Sequence, residues 1–154
     1  MLRRGCLTRE VRLPHHLAVS FDVPLRVGED EEVSSRIAVI AIDAVEPRLV
    51  AAFWCAVLAW QVVDEDADVV SIAPPDRSWP AIDVLAVPEG KVVKNRLHLD
   101  LRADGLATAD ELDRLLALGA RRTDVGQGPD SSWVVLADPE GNEFCLLSRS
   151  VQEV

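Results

Sequence analysis

The feature that most limits how this chain can fold is a repeated order of elements, strand, helix and then three strands, met twice about sixty residues apart. The first pass opens with the apolar run Ile37 to Asp43. Pro47 then stands where a first helical residue is favoured, ahead of a stripe of Leu49, Val50, Phe53, Trp54, Val57 and Leu58. Such a stripe must pack on something apolar. Three short strands are expected next, at Gln61–Asp66, Asp68–Ala73 and Ala81–Val87, separated by acidic or proline-rich breaks such as Pro74-Pro75-Asp76. The second pass starts at Leu97-His-Leu-Asp-Leu101 and enters a helix at Thr108. There Thr108-x-x-Glu111 has the form of a capping box, Leu112, Leu115 and Leu116 supply the buried stripe, and Gly119 is placed to stop the helix. Ala120–Val125, Trp133–Ala137 and Glu143–Leu147 complete it, the last two joined by the turn Asp138-Pro-Glu-Gly-Asn142.

A chain of 154 residues has room for one well-buried core and little more. We therefore expect an N-terminal extension over 1–34, one domain over 35–150 made of modules 35–90 and 95–150, and a short tail at 151–154. Within the extension, Leu17 to Val27 alternates strictly. That pattern predicts a strand, and Pro24, which has no N–H for a ladder, puts it at a sheet edge. The strand would pack on its own domain or in a dimer. His15 and His16 precede it with no ligand-spaced cysteine or carboxylate nearby, so they read as solvent-facing.

Charge and cysteine content exclude several classes. A net charge of -10 disfavours a phosphate-backbone binder, so nucleic acid is not an expected partner. No apolar run is long enough to span a bilayer, and Arg9, Glu10 and Arg12 interrupt any export signal, so neither a membrane nor secretion is expected. Cys6, Cys55 and Cys145 are odd in number and widely spaced, which fits a reducing, cytoplasmic setting.

Three stretches carry a resemblance: Ile42-Asp-Ala-Val-Glu-Pro47 leading to Ala52-Phe-Trp54, Val93-Lys-Asn-Arg-Leu-His-Leu-Asp100, and Trp133-Val-Val-Leu-Ala-Asp-Pro-Glu-Gly-Asn142. Across roughly 36–149 the chain resembles the vicinal oxygen chelate superfamily, which includes glyoxalase I, extradiol dioxygenases and the fosfomycin- and bleomycin-resistance proteins. It looks most like the compact glyoxalase-like branch. The resemblance implies an α+β fold of two tandem βαβββ modules forming a curved mixed sheet around a cleft, with an extra N-terminal strand. In metal-dependent relatives, ligands project from the first, fourth, fifth and eighth strands. Carried over by position, these fall on Val39, on Asp83 or Leu85, on His98 and on Cys145. Valine cannot ligate, and a thiol is a poor substitute for a hard carboxylate. A divalent metal is therefore disfavoured and no cofactor is expected.

Strand alternation puts His98 and Asp100 on one face, which the resemblance makes the cleft face. His98 could then handle a proton or anchor a ligand, with Asp100 fixing its tautomer. It could equally be an inherited residue held by hydrogen bonds in a half-polar cavity. Cys145 has a nucleophilic reading beside His98 and a plainer one as a small buried hydrophobe, and Cys55 belongs to helix packing. Trp79, in the proline-rich loop 74–80, either stacks on a flat ligand at the cleft mouth or plugs the loop onto the domain. Lys91, Lys94 and Arg96 form a basic island that an anionic ligand could use, or that bridges surface acids.

The expectation is a homodimeric protein holding a small organic molecule near Val39, Trp79, Asp83, Leu85, His98, Asp100 and Cys145. Two activities remain open: metal-free isomerase or lyase chemistry at a carbonyl compound with His98 as proton handler, and sequestration without turnover of the bleomycin-resistance type.

Overall fold

The computed structural model describes residues 9–12, 18–21, 35–78, 80–128 and 131–154. Residues 1–35 and 36–154 are two separate compact units. In the first, β1 (Arg9–Arg12) pairs antiparallel with β2 (Ala18–Phe21), Arg9 opposite Phe21. The predicted strand therefore begins as expected, but its partner is a second strand that the sequence did not announce. The stretch from 22 to 27, with Pro24, lies outside the described residues, as do His15, His16 and Trp79.

The second unit carries the repeated order. Its first half is β3 (Val39–Ala44), α1 (Pro47–Leu58), β4 (Gln61–Glu65), β5 (Val69–Ala73) and β6 (Ala81–Ala86). Its second half is β7 (Asp100–Leu101), α2 (Thr108–Ala117), β8 (Arg121–Arg122), β9 (Trp133–Ala137) and β10 (Glu143–Leu147), followed by a 3-10 turn at Val151–Glu153. Hydrogen bonding divides the strands into two four-stranded mixed sheets, ordered β3-β6-β5-β4 and β7-β10-β9-β8. In each, the first strand of the module lies parallel to the last, Ala41 opposite Asp83 in one and Asp100 opposite Cys145 in the other.

One apolar core serves both halves. Strand alternation turns Ile82 and Val84 of β6, Ile72 of β5, and Phe144 and Leu146 of β10 inward, where they meet Val50, Phe53, Trp54 and Val57 of α1. Trp54 lies edge-on to Phe53 at 5.5 Å and to Phe144 at 5.1 Å, so the first helix packs on the second module as well as its own. Leu49, expected in the stripe, is half exposed because it falls at the edge of the buried arc.

Polar ties reinforce the joint between modules. Arg114 of α2 donates to the carbonyls of Ala56 and Val57 at 3.0 and 2.9 Å, covering acceptors that the end of α1 leaves free. Glu111 aligns it with two carboxylate contacts of 2.7 and 2.8 Å. That pairing explains why the capping box fails. The Glu111 carboxylate is engaged with Arg114, no side chain caps the helix at Ala107, and the Thr108 hydroxyl donates to Ser148 O instead. At the other side of the joint, the Glu140 carboxylate accepts the N–H groups of Val45 and Glu46 ahead of α1, at 2.8 and 2.6 Å. Glu140 is placed by its own turn, where fully buried Asp138 accepts from Glu140 N, Asn142 N and the Asn142 amide while Gly141 takes φ +95°. Gly119, at φ +108°, ends α2 as its position predicts.

Candidate functional site

The parallel pairing of β7 with β10 sets His98, Asp100 and Cys145 together, because Cys145 N donates to Leu99 O at 2.9 Å and fixes the register just before β7. The three side chains line one cleft of about 450 Å³, with Val135, Trp133 and Leu147 on the apolar side and Gln127 and Lys94 on the polar side. Trp133, half exposed, is the aromatic residue among the described lining, a position suited to an apolar ligand surface.

Hydrogen-bond donors decide the state of His98. The Lys94 ammonium stands 2.8 Å from Nε2 and 3.3 Å from the Asn95 carbonyl, and an ammonium can only donate. In this arrangement Nε2 is therefore the acceptor and the ring proton sits on Nδ1, which faces the Cys145 sulfur at 3.9 Å. The Asn95 carbonyl also lies 3.1 Å from Nε2, so a proton arriving on Nε2 would find an acceptor already in place.

Cys145 is not set up as a nucleophile. Burial, reinforced by the Asp100 carboxylate beside it, pushes its thiol up to about 11, against a weaker opposing pull from Lys94. At neutral pH the sulfur keeps its proton. Cys55 in α1 is also raised by burial, in keeping with packing.

The first module's share of the expected site lies elsewhere. Val39, Asp83 and Leu85 are on one face of the first sheet, opposite the face that Ile82 and Val84 bury, but they line neither this cleft nor the larger cavity beside it. Asp83 is already engaged, accepting from the Ser71 hydroxyl at 2.6 Å. Within one chain, and among the described residues, His98, Asp100 and Cys145 line one cleft together, while Val39, Asp83 and Leu85 do not join them there. The register of β3 and β6 puts the other three on their own sheet.

A second cavity of about 460 Å³ runs along the unpaired edge of β3, between Ile40–Asp43 and the connection from Val87 to Leu99. Its position was not evident from the sequence. Trp54 forms part of its wall, and the indole N–H of Trp54 is a buried polar group with no hydrogen-bond partner among the described residues. Lys91 is fixed at this seam by Glu143 at 2.7 Å, and Glu143 also accepts Asn95 N–H at 2.9 Å. Burial alone would raise the Glu143 carboxyl, but these two partners outweigh it and hold it below its ordinary value. Lys94 lines both cavities and stands where they meet.

Two βαβββ modules with this strand order and pairing define a vicinal oxygen chelate fold. A family model described as the glyoxalase-like domain matches residues 39–147, and the chain belongs to that family. No curated protein matches the sequence. Among solved structures, the chain is similar to a glyoxalase/bleomycin resistance protein/dioxygenase family enzyme from Burkholderia phytofirmans PsJN, at 18% identity over 73% of this chain and 97% of that one, with a TM-score of 0.55. The fosfomycin resistance protein FosX from Listeria monocytogenes aligns at 11% identity, 79% and 95% coverage and a TM-score of 0.58. TnmS3, an antibiotic-binding protein from Streptomyces sp. CB03234, aligns at 16% identity, 78% and 100% coverage and a TM-score of 0.54. At these identities the likeness concerns the fold.

Proposed function

We propose that the protein binds a small organic molecule in the cleft around His98 and acts on it without a metal, as an isomerase or lyase at a carbonyl compound, with His98 moving the proton. The observation that carries this reading is the set imidazole: Nδ1 faces Cys145, and Nε2 opens toward Lys94 with the Asn95 carbonyl in reach. A base needs a lone pair beside the reacting C–H and support for the charge it acquires. His98 Nε2 carries the lone pair, held by Lys94 in the free protein, and the Asn95 carbonyl would support the proton it gains.

Donor chemistry supports the metal-free part. Val39 offers no ligand atom, the Cys145 sulfur is a soft donor poorly matched to a hard divalent ion, and among the described residues no group of three His, Cys, Asp or Glu is placed to hold an ion. A homodimer belongs to the same reading. Ile37, Leu49 and Val62 are between 48% and 69% exposed and line neither cavity, apolar surface that a second copy would cover. No helix among the described residues is long and apolar enough to cross a membrane. That agrees with a cytoplasmic assignment, which stays part of the proposal.

Sequestration without turnover is the second reading. The apolar wall of Trp133, Val135 and Leu147 and the protonated thiol favour it, and an antibiotic-binding protein shares the fold. A thermal-shift screen of a metabolite and antibiotic panel, followed by turnover assays on each stabilising compound, separates the two. Turnover abolished in His98→Ala with binding retained is the expected result. Unchanged turnover in that variant would remove His98 from the chemistry, and binding without turnover would leave sequestration.

A further inference from the structure

The feature that the cleft reading leaves unused is Lys94. Of the basic island, Lys91 is neutralised by Glu143, whereas no carboxylate among the described residues pairs with Lys94 or Arg96, and of these two Lys94 is the one that also lines the cleft around His98. Its ammonium spends its hydrogen bonds on a neutral imidazole and a carbonyl, the weaker class of partner for a cation. Its placement is set from behind: Glu143 accepts the Asn95 N–H, anchoring the backbone next to Lys94, and also holds the Lys91 ammonium, while the Lys94 side chain turns to His98. Among the described residues, the charged and titratable groups that line the cleft around His98 are Lys94, Asp100 and Cys145, and Lys94 is the cation of this set.

The cavity along β3 begins at the same residue. Ile40, Ile42, Leu97 and Leu99 give it apolar lining. Of its acids, Glu140 and Glu143 are occupied by backbone N–H groups and Lys91, and Asp43 and Glu89 are exposed to solvent. A bound molecule entering from this side meets apolar surface and Arg96 first, and Lys94 at the junction.

We propose that the seam cavity is the second half of the ligand site and that it selects an organic acid, whose apolar body lies along β3 and whose carboxylate draws the Lys94 ammonium away from His98 Nε2. Binding then does two things at once. The Lys94 ammonium gains a carboxylate partner, which it lacks among the described residues, and the imidazole lone pair is released toward the cleft only when an acid is present. A proton taken up there is held by the Asn95 carbonyl, 3.1 Å away. This inference rests on the small-molecule reading of the cleft and adds to it the ligand class and the role of Lys94 as the residue that senses it.

The test uses the full chain and carboxylates from acetate to octanoate, with phenylacetate and mandelate, each beside its uncharged amide. Binding is followed by backbone amide NMR, and the His98 tautomer by imidazole 15N shifts. The proposal expects acids to perturb the amides of 40–43 and 90–99, to move the His98 Nδ1–H signature, and to bind about tenfold more tightly than their amides. Lys94→Met should lose that preference and Lys94→Arg keep it. Because Lys94 is exposed, both variants should melt with the wild type. Equal binding of acid and amide, or an unchanged preference in Lys94→Met, overturns the role of Lys94 while leaving the cleft reading in place. Failure of every acid to perturb residues of either cavity overturns the organic-acid proposal, and failure of the wider metabolite and antibiotic panel to do so overturns the cleft reading as well.

Discussion

The two modules share one order of elements and one strand pairing, yet they have divided the work. The first contributes mass: ten of the fifteen buried core residues are its own, among them Phe53, Trp54 and Val57 of α1 and Ile72, Ile82 and Val84 of its sheet. Its outer face is chemically quiet, with Val39 unable to bond and Asp83 satisfied by Ser71. The second contributes fewer large core residues and carries His98, Asp100 and Cys145 on the face its core does not use. The lesson is that a duplicated fold repeats its backbone and not its chemistry, so a site carried over by position has to be checked strand by strand.

If that division is right, the largest effect on stability should come from the first helix. Trp54→Ala removes a 1% exposed ring wedged between Phe53 and Phe144, and should cost about 3–5 kcal/mol in urea denaturation. A cost below about 1 kcal/mol would show that the modules do not share a core through this residue. Arg114→Met comes next. It leaves the Ala56 and Val57 carbonyls to water and Glu111 without a partner, for an expected loss of about 1–2 kcal/mol.

The second module should respond through chemistry. The Cys145 thiol is raised from 9.0 to about 11, so its protonated form belongs to the folded protein. The stability linked to it is complete below the unfolded value near 9 and is lost as pH rises through 11. Asp100→Asn removes the carboxylate that opposes the thiolate. The pH midpoint for iodoacetamide alkylation of Cys145 should fall toward 9, and an unmoved midpoint would show that burial alone sets it. Smallest of all, Val39→Ala on the quiet face should change stability by less than about 0.5 kcal/mol in the monomer.

Much of this was legible in the chain, for identifiable reasons. Pro47, Trp133–Ala137 and Glu143–Leu147 fall where local pattern predicts, because apolar alternation and a proline's fixed φ act within a few residues. Strand β7 is only Asp100–Leu101, shorter than its alternation suggests, since only that part finds hydrogen bonds on β10. The helix cap at Thr108 was overridden by Arg114, a partner that itself reaches across to α1. His98, Asp100 and Cys145 could be placed together once two modules were assumed. The contact between Lys94 and His98 could not, because it depends on Glu143 anchoring a loop 48 residues away in sequence. The seam cavity depends on how two separate sheets meet, which no local pattern encodes.

The central claim is that the ligand site belongs to the second module and its seam, and the most direct measurement is amide NMR of the protein titrated with whichever compound stabilises it most in the thermal screen. The account predicts shifts centred on His98, Gln127, Val135 and Leu147, extending to Lys94, with Val39, Asp83 and Leu85 unmoved at a protein concentration where the chain is monomeric. Shifts centred on Val39, Asp83 and Leu85, with His98 and Val135 unchanged, would contradict it and move the site to the first sheet.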